Sequence, residues 1–279
     1  MTTLTVADIV TEPTAEIYTV TPAVAKRWLA RNVRNRPVGQ LDVAKYARDM
    51  AAGNWKLTGE AIKFDTNGAL ADGQHRLMAV IKSGASIPML IVRGVEPEAQ
   101  NVMDSGRKRS VGDQLTLAGT KNATMIAAAA RLALKEPAAG FVTEQTSAHV
   151  PTNSEIVAFI EANPRIHRAA EIVGHYYPAF DVQPSALILA WMRLSEIDLE
   201  AAGVFFHSIA NSATNGQGDP RLALIRRLAN ARRNKERLNS RDYLSLVFRT
   251  WDAWRRGRSV NKFQTESRGS YVQPPKRLA

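Results

Sequence analysis

Asp72-Gly73-Gln74-His75-Arg76 gathers a carboxylate, a glycine, an imidazole and a guanidinium into five residues. The run follows Gly68-Ala69-Leu70-Ala71 and precedes Leu77 to Ile81, an apolar stretch that reads as a buried helix ending at Gly84. A glycine at a strand-to-helix junction lets backbone N–H groups approach an anion closely, and the helix dipole favours negative charge there. Arg76 adds a planar fork matched to phosphate oxygens, and His75 adds a ring that can donate or accept. Gly73, Gln74, His75 and Arg76 are therefore the candidate phosphate-binding residues. The same five residues also read as a polar helix start capped by Asp72, and spacing alone leaves both readings open.

Phosphoryl transfer at such a turn asks for a positioned base and usually Mg²⁺. Glu60, Asp72 and His75 are the candidate catalytic groups, with Asp65 near them because a hairpin folds the chain back. The bland reading of Glu60 is a strand-edge charge. A metal-dependent nuclease needs converging carboxylates, and no Asp-x-Asp or Glu-x-Lys cluster is present. The remaining histidines, His149, His167, His175 and His207, show no metal-ligand spacing. The chain has no cysteine, which removes disulfides, thiolate metal sites and cysteine nucleophiles.

The elements that must position these groups are legible upstream and downstream. Glu16 to Val20 reads as a strand, and Thr21-Pro22 starts a helix running to about Asn32. Leu41, Val43, Ala44, Tyr46, Ala47 and Met50 make the buried stripe of a second helix, closed by Gly53. Glu60 to Phe64 and Ala69 to Ala71 are short extended runs around Asn67-Gly68, a strong hairpin turn. Ile87 to Val92 is a further strand, and Glu96-Pro97-Glu98 opens another helix. From about residue 108 the pattern is wholly helical. Ala123 to Leu134 is alanine-rich, Thr152 to Glu155 has capping-box spacing, and helices are expected near 165–176, 184–196, 198–210, 221–238 and 241–256. Pro178, Pro184 and the turn from Asn215 to Pro220 separate several of them. The first dozen residues, the stretch from Pro137 to Val150 and the end of the chain read as loose. No apolar run reaches the roughly 18–20 residues that span a bilayer. The N-terminus lacks a signal-peptide pattern, so a cytoplasmic setting is expected.

The net charge of +11 is unevenly placed. Residues 220–279 hold 16 Lys+Arg against four acids, whereas residues 1–219 hold 21 against 22. A basic end of this kind points to a polyanionic partner, DNA above all, with an acidic protein or plain solvation as the rivals. Arg226, Arg233 and Arg237 recur at helical spacing away from Leu222, Ile225 and Leu228, and Arg227 and Arg232 widen that surface. Tyr243, Leu244, Val247, Phe248, Trp251 and Trp254 read as core, which leaves Arg249, Arg255, Arg256 and Arg258 outside. The candidate DNA-contacting residues are Arg226, Arg227, Arg232, Arg233, Arg237, Arg255, Arg256 and Arg258.

Gly68 to Ala79, with its neighbours, resembles the ParB/sulfiredoxin-like superfamily. Gly73-Gln74-His75-Arg76 is similar to the Gly-Cys-His-Arg segment by which sulfiredoxins hold ATP phosphates. Gln74 stands at the catalytic cysteine, so sulfiredoxin chemistry is excluded. Gly73, Arg76 and Ala79 match the Gly-Glu-Arg-Arg-x-Arg-Ala turn of ParB partition proteins, while Gln74, His75 and Met78 depart from it. Asp72 to Arg76 match in full the Asp-Gly-x-His-Arg form of ParB-like free-serine kinases and of Asp-Gly-Gln-His-Arg proteins of DNA-modification loci. Gly53-Asn54-Trp55, Ile62 to Asp65 and Gly68 to Leu70 look like ParB-like proteins of actinobacterial phages. Asp104 to Arg109 lies where ParB proteins place a second phosphate contact, which implies roles for Arg107 and Arg109.

The resulting expectation is an α+β chain: a small mixed-sheet ParB/sulfiredoxin-like nucleotide-binding domain over residues 15–115, then an all-helical domain over 116–265 with a basic DNA-binding face, and a disordered tail over 266–279. The resemblance implies ATP or CTP, with or without Mg²⁺, as cofactor and a DNA-associated role, in a phage or mobile-element setting in the bacterial cytoplasm. An enzyme, either a phosphotransferase or a Mg²⁺-dependent nuclease, is the alternative. Oligomeric state is not legible, and a homodimer is left open.

Overall fold

Thr21 and Pro22 set the first helix. In the computed structural model, which describes residues 12–33, 35, 37–103, 109–135, 150–180 and 182–263, the Thr21 hydroxyl accepts the Val24 N–H at 3.3 Å and α1 runs over Pro22–Leu29. The chain divides into two compact units between Lys108 and Arg109, ahead of the expected boundary at residue 115.

In the first unit, β1 (Thr14–Val20), β2 (Ala61–Asp65), β3 (Leu70–Asp72) and β4 (Ile87–Val95) form one mixed sheet in the order β1-β4-β2-β3. β1 lies antiparallel to β4, β2 parallel to β4, and β3 antiparallel to β2. α2 (Gln40–Ala51) and α3 (Gln74–Ser83) join α1 over one face. Alternation in the strands supplies that core: Ile62, Phe64, Ile87, Met89 and Ile91 meet Val24, Val43, Ala47, Met50, Leu77 and Val80. Gly84 ends α3 at φ +71°, and Gly53 follows α2 at φ +72°. The Pro97–Val102 segment is a 3₁₀ turn, tighter than the α-helix expected there.

The second unit contains eight α-helices among its described residues: α4 (Val111–Leu117), α5 (Ala123–Ala133), α6 (Asn153–Ala162), α7 (Arg165–Phe180), α8 (Pro184–Ile197), α9 (Leu199–Ala210), α10 (Pro220–Arg233) and α11 (Ser240–Arg255). Capping boxes start α4, α6 and α11, the second at Thr152 and Glu155 as their spacing predicts. α8 is buried nearly all round and is the hub of this core, beside Phe205, Phe206 and Trp251. Two expectations change. α7 continues through Pro178 to Phe180 rather than stopping before it. α10 ends at Arg233, because Asn234 caps it and Lys235 turns left-handed at φ +54°. The N-terminal arm, the 137–149 stretch and the 266–279 tail fall outside the described residues. Among the described residues no helix is long and apolar enough to cross a membrane.

Candidate functional site

The turn that carries the Asp72–Arg76 run is built by the strand before it. Asp65 Oδ1 accepts the N–H groups of Asn67 at 2.9 Å and Ala69 at 2.8 Å, which closes the hairpin into β3. Asp65 is thus occupied in holding the turn. Gly73 then swings into α3 at φ +107°, packed so tightly on β2 that a Cβ there would sit 2.4 Å from Ile62 Cδ1 and 3.3 Å from Ile62 Cα. The glycine is demanded by the turn's own packing. No side chain caps α3, so the reading of Asp72 as its cap is corrected.

Asp72 instead faces two cations. Its Oδ2 accepts from Arg76 Nη2 at 3.0 Å and from Lys63 Nζ at 3.5 Å. Arg76 Nη2 also donates to the Ala61 carbonyl at 2.9 Å, while Nη1 is buried and has no partner among the described residues. The Arg76 side chain is only 12% exposed. The guanidinium expected to face a ligand is therefore engaged inside the unit, lashing the start of α3 to β2 and β3. The cluster still holds one positive charge more than its carboxylate cancels. Lys63, which alternates with the core residues Ile62 and Phe64, is the member that sequence reasoning missed, although that alternation marks it as facing away from the core.

Gln74 is also turned inward. It is 4% exposed and its Oε1 accepts from Asn32 Nδ2 at 3.0 Å. Asn35 donates from Nδ2 to both Asn32 Oδ1 at 2.6 Å and the Leu70 carbonyl at 2.7 Å, so an amide network pins the segment after α1 to this turn. Its side chain is thereby turned away from solvent. His75 is half-buried and its Nε2 accepts the Gly39 N–H, the residue that precedes α2, at 2.9 Å. That bond makes Nδ1 the protonated ring nitrogen. Glu60 is exposed just before β2, and Asp72 and His75 each answer to a different partner. Arg107 lies outside the described residues. Arg109 is exposed at the start of the second unit, beside the Ser110 cap of α4.

The arginines of the second unit fall into two sets. Arg227 makes a forked pair with Glu236, at 2.9 and 2.7 Å. Arg255 donates to Asp198 at 2.7 Å and lies over the Trp251 ring, so the expectation that it stands outside is corrected. Arg256 donates to Asp252 at 2.7 Å, and Arg258 is 3.8 Å from the same carboxylate. Arg226, Arg232, Arg233 and Arg237 are exposed around the last turns of α10 and the residues after it. Arg233 reaches the neutral Asn230 amide at 2.5 Å. Arg237 follows the helix end, so it does not continue the helical row. The aromatic residues of α11 are core, as their spacing predicts, with Trp251 1% exposed and Trp254 packed on it and on Phe205.

A buried pair closes the base of α10. Asp219 accepts from Arg221 Nε at 3.1 Å and Nη2 at 2.8 Å, and also from the N–H groups of Asn215 and Arg221. Arg221 Nη1 reaches Ser208, and the guanidinium covers the Trp254 ring. Burial pushes the Asp219 carboxyl upward, yet the hydrogen bonds and charge of Arg221 and the two amides outweigh it and hold it below the usual carboxylate range. Arg221 also lines an open cavity of about 590 Å³ with Tyr176, Val204, His207, Ser208 and Asn215. Sequence reading took Asp219-Pro220 only as a turn. No group of three or more metal-ligating side chains occurs among the described residues. Comparison with protein-family models, curated proteins and solved structures finds no match to this chain.

Proposed function

We propose that this chain is a DNA-associated protein of the ParB-like kind, whose second unit holds the nucleic-acid backbone without reading bases. The observation that carries this reading is the exposure of Arg226, Arg233 and Arg237 on α10 and just after its end. Such guanidinium groups replace counterions on phosphates, so affinity must fall steeply with salt. Arg227 with Glu236 is the internal control, since their charges cancel. The test is anisotropy of a random duplex across a salt series. Arg226→Gln and Arg237→Gln should each flatten the slope of log affinity against log salt by about 0.9 for every phosphate left without its arginine, while the double variant Arg227→Gln/Glu236→Gln, which removes a pair of no net charge, leaves it unchanged. Absence of binding at low salt would favour an acidic protein as partner.

A second reading, nucleotide phosphate at the Gly73 turn, rests on the excess cation and the partnerless Nη1 beside Asp72. A triphosphate would have to draw Arg76 away from Asp72, so the carboxylate competes with the ligand. Removing that competitor through Asp72→Asn should strengthen the thermal shift given by ATP or CTP with Mg²⁺. No shift in the variant or the wild type would end this reading.

A further inference from the structure

β1 is one edge of the sheet, and its outer side meets no strand among the described residues. Thr14 to Thr19 are all exposed, including Ile17 at 66% and Tyr18 at 40%. Natural edge strands usually block further pairing with a proline, a lysine, a bulge or extreme shortness. β1, Thr-Ala-Glu-Ile-Tyr-Thr-Val, uses none of these. Its register with β4 is unbroken from Thr14 opposite Arg93 to Val20 opposite Ile87. Its one charge, Glu16, is drawn to Arg93 of its own sheet at 3.7 Å.

We propose that β1 pairs antiparallel with β1 of a second copy, about a two-fold axis at Ile17, joining two four-stranded sheets into one. The strand itself selects this occupant. An isologous contact needs a self-complementary surface, and centring at Ile17 sets Thr14 against Val20, Ala15 against Thr19, and Glu16 against Tyr18. Centring at Glu16 would oppose two carboxylates directly. Centring at Tyr18 would push Thr14 against Pro22, the first residue of α1. Pairing about Ile17 also keeps the helices of both copies on one face. The opposite face then becomes continuous: Ala15 and Ile17 are in register with Val92 and Leu90, and the strip runs from one copy into the other.

The absence of cysteine makes the test clean, because each introduced thiol is unique. In the full chain, Ile17→Cys should form a disulfide-linked dimer under mild oxidation. Thr19→Cys, on the same face and equally open, should not, because the two copies of residue 19 lie roughly 13 Å apart along the strands. Ile17→Lys should weaken the dimer at least about tenfold in sedimentation velocity, by opposing two ammonium groups. At concentrations where the wild type is monomeric its melting should be unchanged, since the side chain it replaces is mostly in water there. A wild-type chain that sediments as a monomer at every soluble concentration overturns the proposal. So does equal crosslinking at both positions, or a dimer indifferent to Ile17→Lys. None of these results depends on DNA or nucleotide binding.

Discussion

Replacing Asp72 by asparagine keeps the shape of the turn and removes its charge. Arg76 Nη2 and Lys63 Nζ stand 3.0 and 3.5 Å from Oδ2, so each pair is worth about 5 kcal/mol gross at an effective dielectric of about 20. Desolvation consumes most of that. With side chains 12–26% exposed, the net cost should lie between a surface pair, about 0–1 kcal/mol, and a broken buried pair, about 3–5 kcal/mol. The asparagine oxygen retains one hydrogen bond, which places the expected loss near 2 kcal/mol. Because the chain divides into two compact units, a single global unfolding curve could blend their separate transitions. Hydrogen exchange of the α3 amides reads the first unit directly. The double variant Asp72→Asn/Arg76→Leu removes the stranded guanidinium as well, and its loss should fall short of the sum of the two single losses by roughly 1 kcal/mol or more. An Asp72→Asn effect below about 0.5 kcal/mol, or strict additivity in the double variant, would refute the account of Arg76 as an internal strut.

Gly73→Ala meets both the left-handed φ of +107° and the Ile62 side chain, and should cost about 2 kcal/mol or more in the same exchange experiment. Thr152→Ala opens the α6 capping box and should lower the stability of the second unit by about 1 kcal/mol, read from exchange at the first amides of α6. The lowered carboxyl of Asp219 gives a pH dependence of fixed sign. Its stabilisation is present above the unfolded value of about 3.9 and is lost as pH falls through the lower folded value. Acid titration of the second unit should therefore lose part of its slope below pH ~4 in Asp219→Asn, and an unaltered profile would contradict the pair's role.

Local rules carried most of the fold. The Thr21-Pro22 start, the Asn67-Gly68 turn, Gly84 and the Thr152 capping box each satisfy a backbone group within a few residues, so their signals survive in the linear chain. The misjudged ends have tertiary causes or subtle ones. α7 passes Pro178 to bury Phe180 beside Phe206, a packing gain no local window contains. α10 stops early because Asn234 and Lys235 turn the chain, letting Glu236 reach back to Arg227.

The site was harder to read, for a reason that applies to both basic regions. A sequence counts charges, but what a guanidinium can do depends on whether a carboxylate distant in the chain has already taken it. Asp198 is 57 residues from Arg255, and the Ala61 carbonyl is 15 from Arg76. Neither separation leaves a periodic trace. Arg255 is held by such a distant carboxylate, whereas Arg76, Arg221 and Arg227 are held by carboxylates four, two and nine residues away, and each shapes the fold around it. Around the end of α10 the acid nearest in the chain is Glu236, and Arg227 occupies both of its oxygens. Among the described residues of this segment, Arg221, Arg227, Arg255 and Arg256 therefore add less to the surface than a charge count suggests, and the exposed arginines around the end of α10 form the candidate group. If that group is what meets DNA, Glu236→Gln should strengthen binding by releasing Arg227 to the same surface, and the salt slope should steepen by about one ion. An unchanged slope would place the contact elsewhere on the molecule.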